Sequence, residues 1–166
     1  MISVNKTVKK VNRPVTVLQY GEGNFLRGFV DPFIDVANVA GLFNGNIQVV
    51  KPIAFGCLDS LIEQECIYTV VLRGKKDGET FVEKRVVTSL SGAVDPFKDY
   101  EAYADFAKSP DLRFVVSNTT EAGIVFDDSD EISLTPPKSF PGKVTKFLFE
   151  RFNHFNGADA FVCKKE

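Results

Sequence analysis

The stretch from Val15 to Val50 limits the fold more than any other part of the chain. Val15-Thr16-Val17-Leu18-Gln19-Tyr20 is an apolar, β-branched run of strand length that stops abruptly at Gly21-Glu22-Gly23-Asn24. A helical pattern follows, with Phe25, Phe29, Phe33 and Ala37 on one stripe and Leu26, Val30 and Ile34 beside it. Asn24 is a natural N-cap, Pro32 predicts a bend, and Gly41 closes the helix. Ile47-Gln48-Val49-Val50 reads as a second strand, stopped by Pro52. Strand, glycine turn, helix and strand form a βαβ unit, which belongs in a parallel sheet with a right-handed crossover.

Further along, Ile67–Arg73 and Phe81–Val87 read as two strands around Gly74-Lys75-Lys76-Asp77-Gly78, in which Asp77-Gly78 is a strong hairpin signal. A short helix over Asp99–Lys108 and a strand over Leu112–Ser117 follow. The run Asn118-Thr119-Thr120-Glu121-Ala122-Gly123 is polar, and a helix is predicted from about Pro141 to Asn153, its inner face made by Val144, Phe147, Leu148, the Arg151 stem and Phe152. Ala160-Phe161-Val162-Cys163 reads as the start of another strand. The expected fold class is α/β: a Rossmann-like, mostly parallel sheet with helices on both faces and an inserted antiparallel hairpin. Residues 1–13 read as an N-terminal arm, and 14–166 as one domain.

Charge and cysteine usage then remove several functions. Twenty Lys+Arg against 22 Asp+Glu give a net charge of -2, which leaves no basic field for nucleic acid. No apolar run is long enough to cross a membrane, and the N-terminus lacks a signal-peptide core, so a cytoplasmic location is the expectation. Cys57, Cys66 and Cys163 are too far apart for a metal knuckle, and His154, the single histidine, reads as a surface residue near a helix end. No metal site is expected. The sixteen phenylalanines read as core and crevice wall, and Cys66 as a structural thiol.

The glycine turn is the motif with a clear chemical use. Gly21 permits the tight turn, and Gly23 lets a pyrophosphate approach the backbone without meeting a Cβ, while a helix N-terminus offers free N–H groups. The third glycine of the dinucleotide fingerprint is replaced by Leu26. Glycine also serves ordinary tight turns, so both readings stay open on the motif alone. At the end of the second strand stands Lys51, not the acid that usually holds the adenosine ribose. Lys51 is either a partner for a 2′-phosphate or a solvated charge, and these residues leave NAD against NADP undecided.

Four blocks carry a resemblance: Gly21-Glu22-Gly23-Asn24-Phe25-Leu26-Arg27-Gly28-Phe29, Gln64–Thr69, Leu112–Ile124 and Ser139–Thr145. In order and spacing the chain resembles the N-terminal part of the long-chain mannitol dehydrogenase family, and within it the branch that acts on uronates. The resemblance implies an NAD-linked oxidoreductase interconverting a keto-uronate, tagaturonate, and its hydroxy acid, altronate, in hexuronate breakdown. It places Gly21, Gly23, Asn24, Phe25 and Arg27 around the pyrophosphate and neighbouring ribose, and Asn118, Thr119 and Glu121 on the nicotinamide side. It also implies that the catalytic lysine, with its Asn and His, belongs to a C-terminal helical domain that this chain does not include. No catalytic residue is therefore named, and the chain by itself is expected not to turn over its small sugar-acid substrate. The alternative is a non-catalytic dinucleotide-binding or protein-interaction module.

Single residues have two readings each. Arg27 is a phosphate partner or an exposed charge on a first helical turn, where a cation is disfavoured. Glu121 orients a ligand or caps its turn, and Lys143 contacts a substrate carboxylate or plays a structural part. An incomplete sheet would leave an open edge and an apolar face, so self-association is expected.

Overall fold

A computed structural model describes residues 4–157. Its centre is β1 (Val15–Tyr20) and β2 (Asn46–Val50), both buried almost throughout, as strands of a parallel sheet covered on two faces must be. They pair in parallel with Tyr20 beside Val50. On the far side of β2 lies β5 (Leu90–Val94), and on the far side of β1 lies β6 (Phe114–Ser117), giving a four-stranded sheet of order β5-β2-β1-β6. The chain thus winds outward from β1 in both directions, as in a doubly wound Rossmann sheet. The sequence predicts no strand at β5, whose Leu-Ser-Gly-Ala-Val carries little strand propensity; pairing with β2 makes it one.

Helices cover both faces. On one, Leu18, Tyr20 and Val50 pack against Tyr103, Ala107, Phe140 and Phe147 from α4 (Tyr100–Ala104), the 3₁₀ turn after it and α5 (Phe140–His154). On the other, Val17, Ile47, Val49 and Leu90 pack against Leu58, Leu61 and Cys66 around α3 (Asp59–Glu63), a helix the sequence reading missed. The predicted hairpin stands apart as β3 (Tyr68–Lys76) and β4 (Glu79–Val87). Asp77 (φ 54°) and Gly78 (φ 85°) form its two-residue turn between Lys76 and Glu79, the double positive φ that this dipeptide supplies. The predicted strand at Ala160–Cys163 lies outside the described residues.

The helix after the glycine turn departs from expectation in three ways. It is two segments, α1 (Asn24–Gly28) and α2 (Val30–Val39), and the break falls at Phe29 (φ -128°, ψ -66°), not at Pro32. That position puts Pro32 in the first turn of α2, where its missing N–H has no helical partner to lose. The N-cap is Gly23 and not Asn24.

The buried face is the third difference. Phe25, Phe29 and Phe33 are half exposed and stack on one another, with centroids 5.5 and 4.6 Å apart, whereas Asp31, Asp35 and Asn38 face inward. Each inward polar group ties α2 to another element. Thr88 donates to Asp35 Oδ1 through both N–H and hydroxyl (2.8 and 2.9 Å), Ser89 Oγ donates to the Asp31 carbonyl, and Asn38 exchanges two hydrogen bonds with the Gly45 backbone. Partners of this kind make polar burial tolerable. Phenylalanine is accordingly not mainly core here: Phe55, Phe114, Phe126, Phe149 and Phe152 are exposed as well.

Candidate cofactor site

The glycine turn leaves the carboxyl end of β1 beside the end of β6, with Tyr20 registered to Ser117. Gly21–Arg27 and Asn118–Glu121 therefore leave neighbouring strands at the same edge of the sheet, at the point where the chain turns to opposite sides. Open α/β sheets bind ligands at such a switch point. The residues read from the sequence as two groups are brought to the same edge.

Gly21 has φ +121°, closed in practice to other residues, and a Cβ there would lie 3.3 Å from Leu26 Cδ1. Its N–H donates to the Val50 carbonyl (3.0 Å) and its carbonyl accepts from Gln19 Nε2 (3.1 Å), so the turn is pinned from β1 and β2. Leu26, at the place of the third fingerprint glycine, is buried beneath the turn. A Cβ on Gly23 would meet nothing within 4 Å, and no side chain caps the turn of helix that follows it. An anion reaching that backbone would meet N–H groups and no side chain. Beside it Gly56 (φ +93°) comes so close to Glu22 that a Cβ there would sit 2.7 Å from the Glu22 carboxylate, so the loop after β2 closes on the turn.

Arg27 Nη2 donates to Asn24 Oδ1 (2.7 Å), while Asn24 and Phe25 are exposed. Behind Arg27 lies a group that the sequence reading missed. Tyr68 Oη from β3 donates to the Arg27 carbonyl (2.8 Å) and lies 2.9 Å from Asp31 Oδ2. Asp31 is fully buried, and burial raises its carboxyl to about 7, against the opposing pull of Tyr68, Gln19 and Arg27. Gln19 Oε1, Asp31 Oδ1 and Arg27 Nε are buried here without a hydrogen-bond partner. The available signal was the Asp31/Asp35 spacing of i,i+4, opposite the phenylalanine stripe.

In the loop after β6, Asn118 and Glu121 are exposed and Thr119 is half-buried; Glu121 opens a 3₁₀ turn that runs to Ile124. A Cβ on Gly123 would collide with the Thr119 methyl. Lys51 answers to neither of its sequence readings: it is buried, and its Nζ makes a 3.0 Å ion pair with Asp95 Oδ2. Lys143 is also buried, its Nζ donating to the Lys138 and Ser139 carbonyls (2.8 and 3.1 Å) and lying 4.4 Å from the Phe97 ring centre. Burial lowers it to about 8, and its reach is spent on the loop before α5 rather than on a ligand.

Arg151 likewise holds three carbonyls, of Ala107, Ser109 and Leu112, with its head and not only its stem. Cys66 is buried, which raises its thiol, and His154 is exposed at the end of α5. Among the described residues no group of His, Cys, Asp and Glu could hold a metal, and no helix is long and apolar enough to cross a membrane.

The model of the mannitol dehydrogenase Rossmann domain matches residues 15–163. Altronate oxidoreductase of Bacillus subtilis is 48% identical over 150 residues, covering 90% of this chain and 31% of that protein. The Yersinia enterocolitica protein of the same name is 43% identical over 148 residues, covering 89% and 31%. The chain thus spans about a third of the length of the curated relatives it matches. Two solved structures share the fold: a Pseudomonas fluorescens mannitol 2-dehydrogenase ternary complex with NAD and D-mannitol (TM-score 0.69, 23% identity, 87% of this chain and 31% of that one) and substrate-free D-sorbitol dehydrogenase (0.67, 20%, 90% and 33%). With a family match over nearly the whole chain, and a sheet and glycine turn of the form that match requires, the chain belongs to the mannitol dehydrogenase family and carries its Rossmann domain.

Proposed function

We propose that this chain is the NAD-binding part of an oxidoreductase that interconverts altronate and tagaturonate. The observation that carries the reading is the open backbone at Gly23, pinned at the end of β1 and facing the loop after β6 across the switch point. These residues fit a dinucleotide: a positive-φ glycine makes the turn, and the next glycine leaves room where a pyrophosphate would lie. NAD, when bound, supplies hydride transfer; the chain supplies binding and orientation. Gly21 and Gly23 present the backbone, Arg27 adds positive charge, and Asn24 holds Arg27 by its amide oxygen. Phe25 gives an apolar wall, and Asn118, Thr119 and Glu121 border the nicotinamide side.

The names of the relatives at 43% and 48% identity support altronate as the hydroxy acid. The reading gives this chain cofactor binding and orientation, and no residue of it is assigned as the catalytic acid/base. The test is a titration of the purified chain with NADH, followed by nicotinamide fluorescence, together with Gly23→Val. Saturable binding that Gly23→Val abolishes while the cooperative melt persists is the expected result. A folded wild-type chain that does not bind NADH overturns the reading.

A further inference from the structure

Beyond the carboxyl ends of β2 and β5 lies a cleft of about 410 Å³, with Leu58, Ile62 and Phe106 among its apolar walls. In a Rossmann sheet the adenosine ribose reaches the residue that follows the second strand: an acid there accepts from the 2′-hydroxyl, and a cation there pairs with a 2′-phosphate. Lys51 holds that position, and by itself it would point to the phosphorylated cofactor. The neighbouring strand reverses its meaning. Val50 and Val94 are registered partners, so Lys51 and Asp95 leave their strands side by side. Lys51 N–H donates to the Val94 carbonyl (3.0 Å), and the side chains meet at 3.0 Å with only 8% and 10% of their surfaces exposed. Asp95 cannot easily swing away, because its Oδ1 accepts from the Phe97 N–H (3.0 Å).

We propose that the Lys51–Asp95 pair makes the cleft select an adenosine ribose without a 2′-phosphate, NAD over NADP. The inference rests on the dinucleotide reading above and deepens it. For Lys51 to take a phosphate it must leave Asp95, stranding a buried carboxylate beside a new dianion. The rest of the lining adds to the bias: Asp59, Asp95 and Asp99 stand against Lys51 and Lys98, an excess of one negative charge. Asp95 thus performs, from β5 and through Lys51, the discrimination that an acid on β2 performs in the common fingerprint. It is a positioning residue: it fixes where the lysine's charge is spent.

Parallel titrations with NADH and NADPH on the wild-type chain, Asp95→Asn and Lys51→Met test this. The wild type is expected to bind NADH more tightly. Asp95→Asn keeps an acceptor for the Phe97 N–H but frees the lysine's charge, so affinity for NADPH relative to NADH should rise about tenfold, the scale of one charge-assisted hydrogen bond. Lys51→Met leaves the carboxylate uncompensated and should move the ratio the other way. Opposite movements distinguish this role from a structural defect, which would weaken both cofactors together. Equal or tighter NADPH binding by the wild type sinks the proposal, as does an unchanged ratio in an Asp95→Asn chain that melts cooperatively. If the folded wild type binds neither nucleotide, the dinucleotide reading itself falls; NADH binding with an unmoved ratio removes only the role of this pair.

Discussion

Asp31 sits fully buried behind the glycine turn, on the face of α2 opposite the phenylalanines. Its carboxyl is raised from 3.8 to about 7, chiefly by burial, so the folded chain holds the proton more tightly than the unfolded one. The sign follows from linkage: this stabilisation is complete below about pH 4 and is lost as pH rises to about 7. A shift of this size corresponds to at most about 4 kcal/mol. Wild-type melting temperature should therefore fall between pH 5 and pH 7.5. Asp31→Asn keeps an oxygen for Tyr68 and offers an N–H toward Gln19, so it should flatten the profile and melt above wild type at pH 7.5. An Asp31→Asn chain with an unaltered pH slope would show that the carboxyl does not titrate between folded and unfolded states in this range. The sequence carries only the i,i+4 spacing of Asp31 and Asp35; the raised carboxyl itself is not visible there, because only the docking of Tyr68 and Gln19 around Asp31 removes the water.

Among the elements, the hairpin was legible at its turn, because Asp77-Gly78 meets a local demand for two positive φ angles, although both strands run closer to the turn, to Lys76 and from Glu79, than the sequence predicts. Its stability is correspondingly local, since β3 and β4 pair only with each other. Gly78→Ala puts a Cβ at φ 85° and should cost about 1–2 kcal/mol in this element. Hydrogen exchange should show the Tyr68–Val87 amides exchanging faster, with those of β1 and β2 unchanged; uniform acceleration would mean that the hairpin opens only with the whole fold. The segment Leu90–Val94 shows the converse. Its small residues signal nothing locally, and it is a strand because β2 presents it an edge. The break at Phe29 has the same character: Pro32 announced an interruption, but the helix relieved it three residues earlier.

Across the whole molecule, large apolar side chains stand exposed among the described residues. Phe25, Phe29, Phe33, Val39 and Leu42 are 50–84% exposed along α1, α2 and the turn beyond, and Phe114 is 46% exposed on β6, which among the described residues pairs only with β1. Exposed apolar area and an open strand edge both favour association. The isolated chain is expected to sediment with a weight-average mass that rises with concentration, and Phe29→Ser with Phe33→Ser should lower it. A wild-type chain that stays monomeric at high concentration would count against a sticky face.

What the sequence determined by itself is local in its physics. The strand–glycine–helix unit, the hairpin turn and the positions of Gly21 and Gly23 follow from conformational preferences and hydrophobic period, which act over a few residues. What tertiary structure alone decided is how distant groups are spent. Lys51 meets Asp95 only because β5 pairs with β2, Lys143 turns to backbone carbonyls, and α2 buries its acids while Phe25, Phe29 and Phe33 stay exposed. A side chain's partners and its dielectric surroundings are set by elements far away in the chain, and charge acquires its function there.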